Sequence, residues 1–366
     1  MTSLKIVRLD SDTNINNTMM ALETMPVPLD AHAKPPSSLR NVYKYYHKLK
    51  PTALGSHPGL IQFDGYSSSS TSHVRPTRLL DLPTELRQSF SDFLGTAHAI
   101  TLPVAEHTLY EVPDVPGLFI YPSLFPPQIQ LELLSRLLHR DLRNPQHLTN
   151  VHTHYNVRYP SNSEDEDASF FDESCRCTVF EPHDPTLHKP ISTEQFLNKK
   201  LRWTTLGGQY DWTNKVYPSG PPPAFPPDIK KLVEDIFPMK AEAAIVNLYS
   251  PGDTLSLHRD VSEECNRPLA SVSLGCDAIF MAGLVGEVED GKSKVAVMRL
   301  RSGDAVLMSG ESRYAWHGVP KILEDTCPGW MADWPGNDAD GIDRYQHWAG
   351  WMKGKRVNLN VRQMFG

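Results

Sequence analysis

The chain predicts an α+β fold with a mainly β core, a jelly-roll double-stranded β-helix braced by N-terminal helices. Three observations carry this. Amphipathic helical stretches occupy the first part of the chain. From Ala243 onward the sequence breaks into short apolar segments rich in β-branched residues. Turns such as Glu289-Asp-Gly-Lys292 and Arg301-Ser-Gly-Asp304 separate those segments. Many short strands after a helical start give a β core with helices packed on it, and a jelly roll satisfies that pattern.

Residues 1–38 are polar and proline-rich and read as a flexible lead-in. Across Ser38–Lys50, Leu39, Val42, Tyr43, Tyr46 and Leu49 recur at helical spacing, and Pro51 stops the run. The helix's Arg40, Lys44, Lys48 and Lys50 either touch phosphates or form the solvated face of a docking helix, and the second reading is favoured. Ser67–Ser72 reads as a linker. Asp81–Leu94 predicts another helix, capped by Asp81 or Thr84, with Leu86, Phe90 and Phe93 as its apolar stripe. Residues 1–108 are therefore expected to form an N-terminal extension, and 109–366 a compact domain whose motif-bearing core spans 243–366.

Within that domain Val115–Pro122 reads as an entering strand, and Pro126–Leu142 as a helix burying Ile129, Leu133, Leu137 and Leu138. The acidic, serine-rich stretch at 161–174 reads as a surface loop. A helix over Asp228–Phe237 precedes strands over Ala243–Leu248, Ala270–Leu274, Ala278–Met281, Lys294–Leu300, Ala305–Ser309 and Val357–Met364.

With 366 residues, 40% of them hydrophobic, the chain can bury a sizeable core. Its formal charge of -7 gives no general attraction to nucleic acid, so such a partner needs a local basic site. Five cysteines, an odd number without a secretory signal, are expected to be free thiols in a reducing compartment. Cys175-Arg-Cys177 lacks the second ligand pair of a zinc site. No apolar run is long enough to span a bilayer, and the first thirty residues hold no apolar leader. The expectation is an intracellular protein without membrane contact, with nucleus, cytoplasm and mitochondrion open and no protein partner legible.

The chemistry concentrates in His258-Arg-Asp260. On an extended segment, residues i and i+2 point to one face, so His258 and Asp260 reach one ion. His317, in Ala-Trp-His-Gly, supplies a third ligand from a distant strand, with a glycine beside it that admits close backbone approach. Two imidazoles and a carboxylate hold one face of an octahedral Fe(II) and leave the other open. Zinc is the rival metal, but zinc sites seldom need anion-binding partners. Such partners are present: Arg356, Asn358 and Arg362 alternate along one segment and share a face. Guanidinium forks suit carboxylates, and two of them suit both ends of an oxo-dicarboxylate such as 2-oxoglutarate.

These pieces together resemble the AlkB family of Fe(II)/2-oxoglutarate dioxygenases. In order they are Asn247-x-Tyr249, Pro251-Gly, His258-x-Asp260, Ser271 to Phe280, Gly303-Asp304, Ser309 to Arg313, His317-Gly and Arg356-x-Asn358-x-x-x-Arg362-Gln, over about 120 residues. The resemblance implies iron held by His258, Asp260 and His317. It implies that Arg356, Tyr249 and Asn358 hold the distal carboxylate of 2-oxoglutarate, and that Arg362 and Asn247 secure the metal-proximal end. O2 is the third reactant. The stretch Leu201-Arg-Trp203 to Tyr210-Asp-Trp212 is similar to the family's nucleotide-recognition region. Trp203, then Tyr210, are its candidates for stacking on a base, with a core role for Trp203 and Trp212 as the alternative.

Within the family the eukaryotic homologue-1 branch is most similar. It implies oxidative demethylation of N-methylated adenine, N6-methyladenine in DNA or N1-methyladenine in tRNA, with release of formaldehyde, succinate and CO2. Ser262, where the bacterial repair enzyme has an acid, puts that enzyme's base specificity in doubt. Two alternatives stay open: the same iron chemistry on a protein side chain, and an inactive nucleic-acid-binding scaffold. The tract Asp325–Met352, with Trp330, Trp334, Trp348 and Trp351, reads equally as a substrate-facing lid or a packing segment.

Overall fold

The computed structural model describes residues 29–55, 57–63, 74–79, 84–95, 107–160, 168–212, 214–285, 293–336 and 343–365. The lead-in up to residue 28, the Ser67–Ser72 linker, Asp81–Pro83, residues 161–167 of the stretch read as a surface loop and the Glu289–Lys292 turn lie outside the described residues. The rest of that stretch is not all surface, since Ser169, Phe170 and Phe171 are buried. Fifteen strands are found among those described. They are β1 Arg75–Leu79, β2 His107–Glu111, β3 Leu118–Tyr121, β4 Tyr155–Asn156, β5 Val179–Pro182, β6 Ile191–Ser192, β7 Trp203–Gly207 and β8 Ala243–Tyr249. After these come β9 Leu255–His258, β10 Leu269–Gly275, β11 Ala278–Leu284, β12 Lys294–Leu300, β13 Ala305–Met308, β14 Trp316–Ile322 and β15 Arg356–Arg362.

The strands build a major sheet in the order β1-β2-β3-β13-β10-β15-β8-β7 and a minor sheet in the order β12-β11-β14-β9. Every pairing in both is antiparallel. Period-two alternation then sorts residues between layers. On β15, Val357, Leu359 and Val361 face the helical side and join the largest core cluster. The intervening Arg356, Asn358, Asn360 and Arg362 line a cavity instead. On β11, Phe280 packs between the sheets beside Leu269, Met308 and Val319, whereas Ile279 and Met281 face the outer side. A register slip of one residue would exchange these faces.

Three helices, Thr84–Leu94, Pro127–Ser135 and Pro227–Ile236, cover the outer face of the major sheet. Phe90, Phe93, Ile129, Leu133, Ile229, Leu232 and Val233 enter the same cluster as Val246, Val272 and Leu359. Pro127 and Pro227 sit in the first turns, where a missing N–H costs nothing. The predicted helix over 126–142 continues as a wider turn over Arg136–Asp141, burying Leu137 and Leu138. At the β12–β13 turn, which links the minor sheet to the major one, Gly303 has φ +88, and a Cβ there would lie 2.8 Å from the Phe125 carbonyl. Only glycine meets both demands.

The fourth layer is the N-terminal helix Ser37–Lys48, which docks Leu39 and Tyr46 against Ile279, Met281, Val297 and Trp316 of the minor sheet. Its docking role follows the favoured sequence reading. Of the tract from Asp325 to Met352, the described residues 325–336 and 343–352 pack through three of its four tryptophans, while Trp330 is exposed. Trp334, Trp348 and Trp351 are buried in the main core, and each meets the Phe171 ring edge-on at 5.1–5.4 Å. All five cysteines are free thiols. No helix among the described residues is long and apolar enough to cross a membrane.

Candidate active site

β9 and β14 lie side by side in the minor sheet, and His258 is the Cα partner of His317 across the pair. Directly opposed residues keep their side chains within about 5 Å, and the two imidazole centroids are 4.3 Å apart. The pairing is irregular here. Leu255 pairs with Val319 and His258 with His317, so β9 carries one more residue than β14 between the same two partners. Such a bulge re-aims side chains. Gly318 permits it, because a Cβ there would lie 2.7 Å from the Leu255 carbonyl and 3.2 Å from Leu257 N. The close approach expected of the glycine beside His317 is present.

Each ring is oriented by its own strand. His258 Nδ1 donates to the Ser256 carbonyl at 2.9 Å, and His317 Nδ1 donates to the Ala315 carbonyl at 3.0 Å. A carbonyl only accepts, so both Nδ1 atoms carry a proton and Nε2 is the atom each ring has left to offer a metal. Burial, with His258 adding to it, lowers the His317 pKa to about 4, which keeps that ring neutral at neutral pH. His258 Nε2 stands 3.7 Å from Asp260 Oδ1 and His317 Nε2 3.9 Å from Oδ2, too long for hydrogen bonds. The three ligand atoms lie within 4.8 Å of one another, the arrangement of a metal site.

Asp260 is held by arginine. Arg362 donates to its Oδ2 from Nε at 3.0 Å and from Nη2 at 2.6 Å. Burial alone would raise the Asp260 pKa, but Arg362, both histidines and Arg313 together hold the carboxyl well below its usual range. A second layer fixes the arginine in turn. Glu263 lies 3.3 Å from Arg362 Nε and accepts from Arg313 Nη2 at 2.9 Å, with the side chains of both Glu263 and Arg313 buried. Arg313 also donates to the Asp260 carbonyl at 2.7 Å and to the Arg267 carbonyl at 2.9 Å. Arg313 closes the motif Ser309 to Arg313, where the sequence gives it no role, and Glu263 follows Ser262 with none either. Their burial as a pair has no local signature, since charged residues in a sequence read as solvated.

Behind the triad a cavity runs between the sheets, with Asn247, Ser271, Met308, Arg356, Asn358 and Arg362 of the major sheet on one wall and Phe280, Leu300 and Val319 of the minor sheet on the other. Arg356 donates to the Cys276 carbonyl at 3.0 Å and to Ser273 Oγ at 2.7 Å. Asn358 Nδ2 donates to the Val272 carbonyl at 2.8 Å. Arg356 Nε and Arg362 Nη1 in this cavity, and Tyr249 Oη on the neighbouring strand opposite Arg356, are buried and have no hydrogen-bond partner among the described residues. Each such atom costs about 1–3 kcal/mol, so together they form a donor set suited to an anion with two acidic ends. Two imidazoles, one carboxylate and these donors fit Fe(II) with 2-oxoglutarate.

A second cavity, of about 240 Å³, adjoins the first and shares Asn247, Leu255, His258 and Arg362 with it. Tyr210, Trp212 and Tyr217 stand in its wall. Tyr210 Oη lies 3.2 Å from Ser262 Oγ, and its ring meets Trp212 edge-on at 4.9 Å. Trp203 sits on β7, half-buried, with its ring 5.2 Å from Trp212. The structure therefore brings Tyr210 to the cavity and leaves Trp203 behind Trp212. Trp212 is 45% exposed, which sets aside a core role for it.

Residues 161–362 match the family described as the 2OG-Fe(II) oxygenase superfamily. The chain belongs to that superfamily. It is 44% identical over 354 residues to the N6-methyladenosine RNA demethylase ALKB1 of Pyricularia oryzae, spanning 92% of this chain and 98% of that one. It is 51% identical over 225 residues to the N6-methyladenosine RNA demethylase ALKBH of Cryphonectria parasitica, spanning 58% of this chain and 99% of that one. With the tRNA demethylase abh1 of Schizosaccharomyces pombe it shares 38% identity over 70% of this chain and 82% of that one. The AlkB resemblance stands on this similarity, and this 2OG-Fe(II) oxygenase uses Fe(II), 2-oxoglutarate and O2. Its β core carries the jelly-roll fold of the superfamily.

Proposed function

We propose that the chain is an oxidative demethylase that removes an N-methyl group from adenine in RNA or DNA, tRNA included. The observation that carries this reading is the continuity of the two cavities: the triad stands where an anion-binding inner cavity meets an aromatic-walled outer one. The similarity to relatives named as RNA, tRNA and DNA demethylases supports it.

In this reading His258, Asp260 and His317 hold the metal through Nε2, carboxylate and Nε2. Bound Fe(II) with 2-oxoglutarate and O2 supplies the oxidising power that hydroxylates a methyl carbon, with succinate and CO2 as the other products. Arg356, Tyr249 and Asn358 orient the distal carboxylate of 2-oxoglutarate, while Asn247 and Arg362 serve the metal-proximal end. Arg362 also fixes Asp260, so one guanidinium aligns ligand and co-substrate together. The apolar wall from Phe280 to Val319 excludes water from the inner cavity. Tyr210 holds the base in the outer cavity, with Trp203 supporting it through Trp212. A hydroxylated N-methyl group is a hemiaminal and collapses to formaldehyde and the free amine, so no dedicated general base is required.

The unit that performs this spans 109–366 in our reading, with 1–108 as an extension that braces it, and it works in nucleus, cytoplasm or mitochondrion. Formaldehyde release from methylated oligonucleotides compared with methylated peptides tests the reading. Release from oligonucleotides supports it, and release from peptides alone overturns it.

A further inference from the structure

Among the described residues, two cations line the outer cavity without a direct salt bridge to a carboxylate. Arg362, the third cation in the wall, is tied to Asp260 and Glu263. Lys215 Nζ instead donates to the Ala31 carbonyl at 2.8 Å, and Arg259 Nη2 donates to the Asp30 carbonyl at 3.3 Å. Ala31 itself lines the cavity. The Asp30 carboxylate is near enough to act on Arg259, but it accepts from His32 N at 2.7 Å. Arg259 Nε is buried and has no hydrogen-bond partner among the described residues, and the guanidinium stacks on Trp316 at 4.6 Å.

Both cations are held in place by the fold. Lys215 has φ +56, a left-handed conformation uncommon for a residue with a side chain. Lys215 N donates to the Asp211 carbonyl at 2.7 Å, and Ser262 Oγ donates to the Lys215 carbonyl at 2.8 Å. Backbone strain kept in this way collects at functional sites. Arg259 lies between His258 and Asp260, so its backbone is fixed by the residues that form the triad.

We propose that Lys215 and Arg259 bind the phosphodiester groups flanking the base held in the outer cavity, and that the carbonyls of Asp30 and Ala31 occupy those donors until substrate enters. This rests on the nucleic-acid reading above. An ammonium and a guanidinium offer only donors, and charge-assisted bonds to phosphate are stronger than bonds to neutral carbonyls. A chain of net charge -7 needs such a local site to engage a polyanion.

The test is fluorescence-anisotropy binding of a labelled single-stranded oligonucleotide carrying one N6-methyladenine, over a series of salt concentrations. The full-length protein is loaded with Mn(II) and 2-oxoglutarate. Lys215→Gln and Arg259→Gln should each weaken binding and flatten the slope of log K against log salt by about 0.7, one released counterion apiece. Lys215→Arg and Arg259→Lys should keep the wild-type slope. Glutamine variants with an unchanged slope, or charge-retaining variants that lose it equally, overturn the inference. A wild-type protein that binds no methylated oligonucleotide overturns the functional reading itself, and that result is seen before any variant is made.

Discussion

His258 and His317 face each other as Cα partners across β9 and β14, and an extra residue in β9 next to that pair sets the register that brings them together. Strand geometry thus fixes the spacing of two of the three ligand atoms. The consequences can be measured.

Gly318→Ala should disturb that register. The added Cβ would meet Leu255 and Leu257 backbone atoms at 2.7 and 3.2 Å, which a flexible side chain cannot relieve. Overpacking of this kind costs about 1–3 kcal/mol. A lower melting temperature together with weaker Mn(II) binding is expected. Gly329→Ala, where no atom lies within 4 Å of the new Cβ, is the control and should change neither.

Arg362→Lys should loosen the metal site while leaving the fold intact. Arg362 reaches Asp260 Oδ2 through two N–H groups, at 3.0 and 2.6 Å, a two-point grip a lysine cannot reproduce. Loss of a partner that orients a metal ligand typically costs 10–100-fold. Calorimetric titration with Mn(II) should show a weakening of about that size, and an unchanged affinity would refute the orienting role.

Glu263→Ala should be severe. Its carboxylate is buried between Arg313 and Arg362, and its removal leaves buried guanidinium charge without its acid. Breaking a buried ion pair from one side costs about 3–5 kcal/mol. Denaturant unfolding should show the midpoint falling accordingly.

The protein should also lose stability in mild acid. Burial lowers the His139 pKa to about 4, from its ordinary 6.5, while its Nδ1 stands 2.7 Å from Ser169 Oγ. The unfolded state binds the proton more readily, so this contribution is complete above pH 6.5 and is lost as pH falls towards 4. A shift of this size corresponds to about 3 kcal/mol at most. His139→Gln should flatten the dependence of the unfolding free energy on pH across that window, and an unaltered dependence would show that His139 does not carry it.

Much of the fold and of the site was legible because alternation survives in the sequence. Val357, Leu359 and Val361 betray the buried face of β15, and the polar residues between them therefore mark the cavity face. The His258-x-Asp260 spacing and Gly318 beside His317 were readable for the same local reasons. β14 was not legible as a full strand, because Pro320 removes a ladder donor near the shifted register between β11 and β14. Trp203–Gly207 was read for its aromatic and proves to be the edge strand β7. The Glu263–Arg313 pair and the packing of Trp334, Trp348 and Trp351 on Phe171 depend on contacts between residues far apart in sequence, which no local pattern encodes.

The most direct measurement is nucleoside mass spectrometry of N6-methyladenine- and N1-methyladenine-containing RNA and DNA after incubation with the protein, Fe(II), 2-oxoglutarate and O2. The prediction is conversion of a methylated adenine to adenine with equimolar formaldehyde and succinate, and none of these with Asp260→Ala. Succinate formed by the wild-type protein while every methylated adenine stays intact would contradict it.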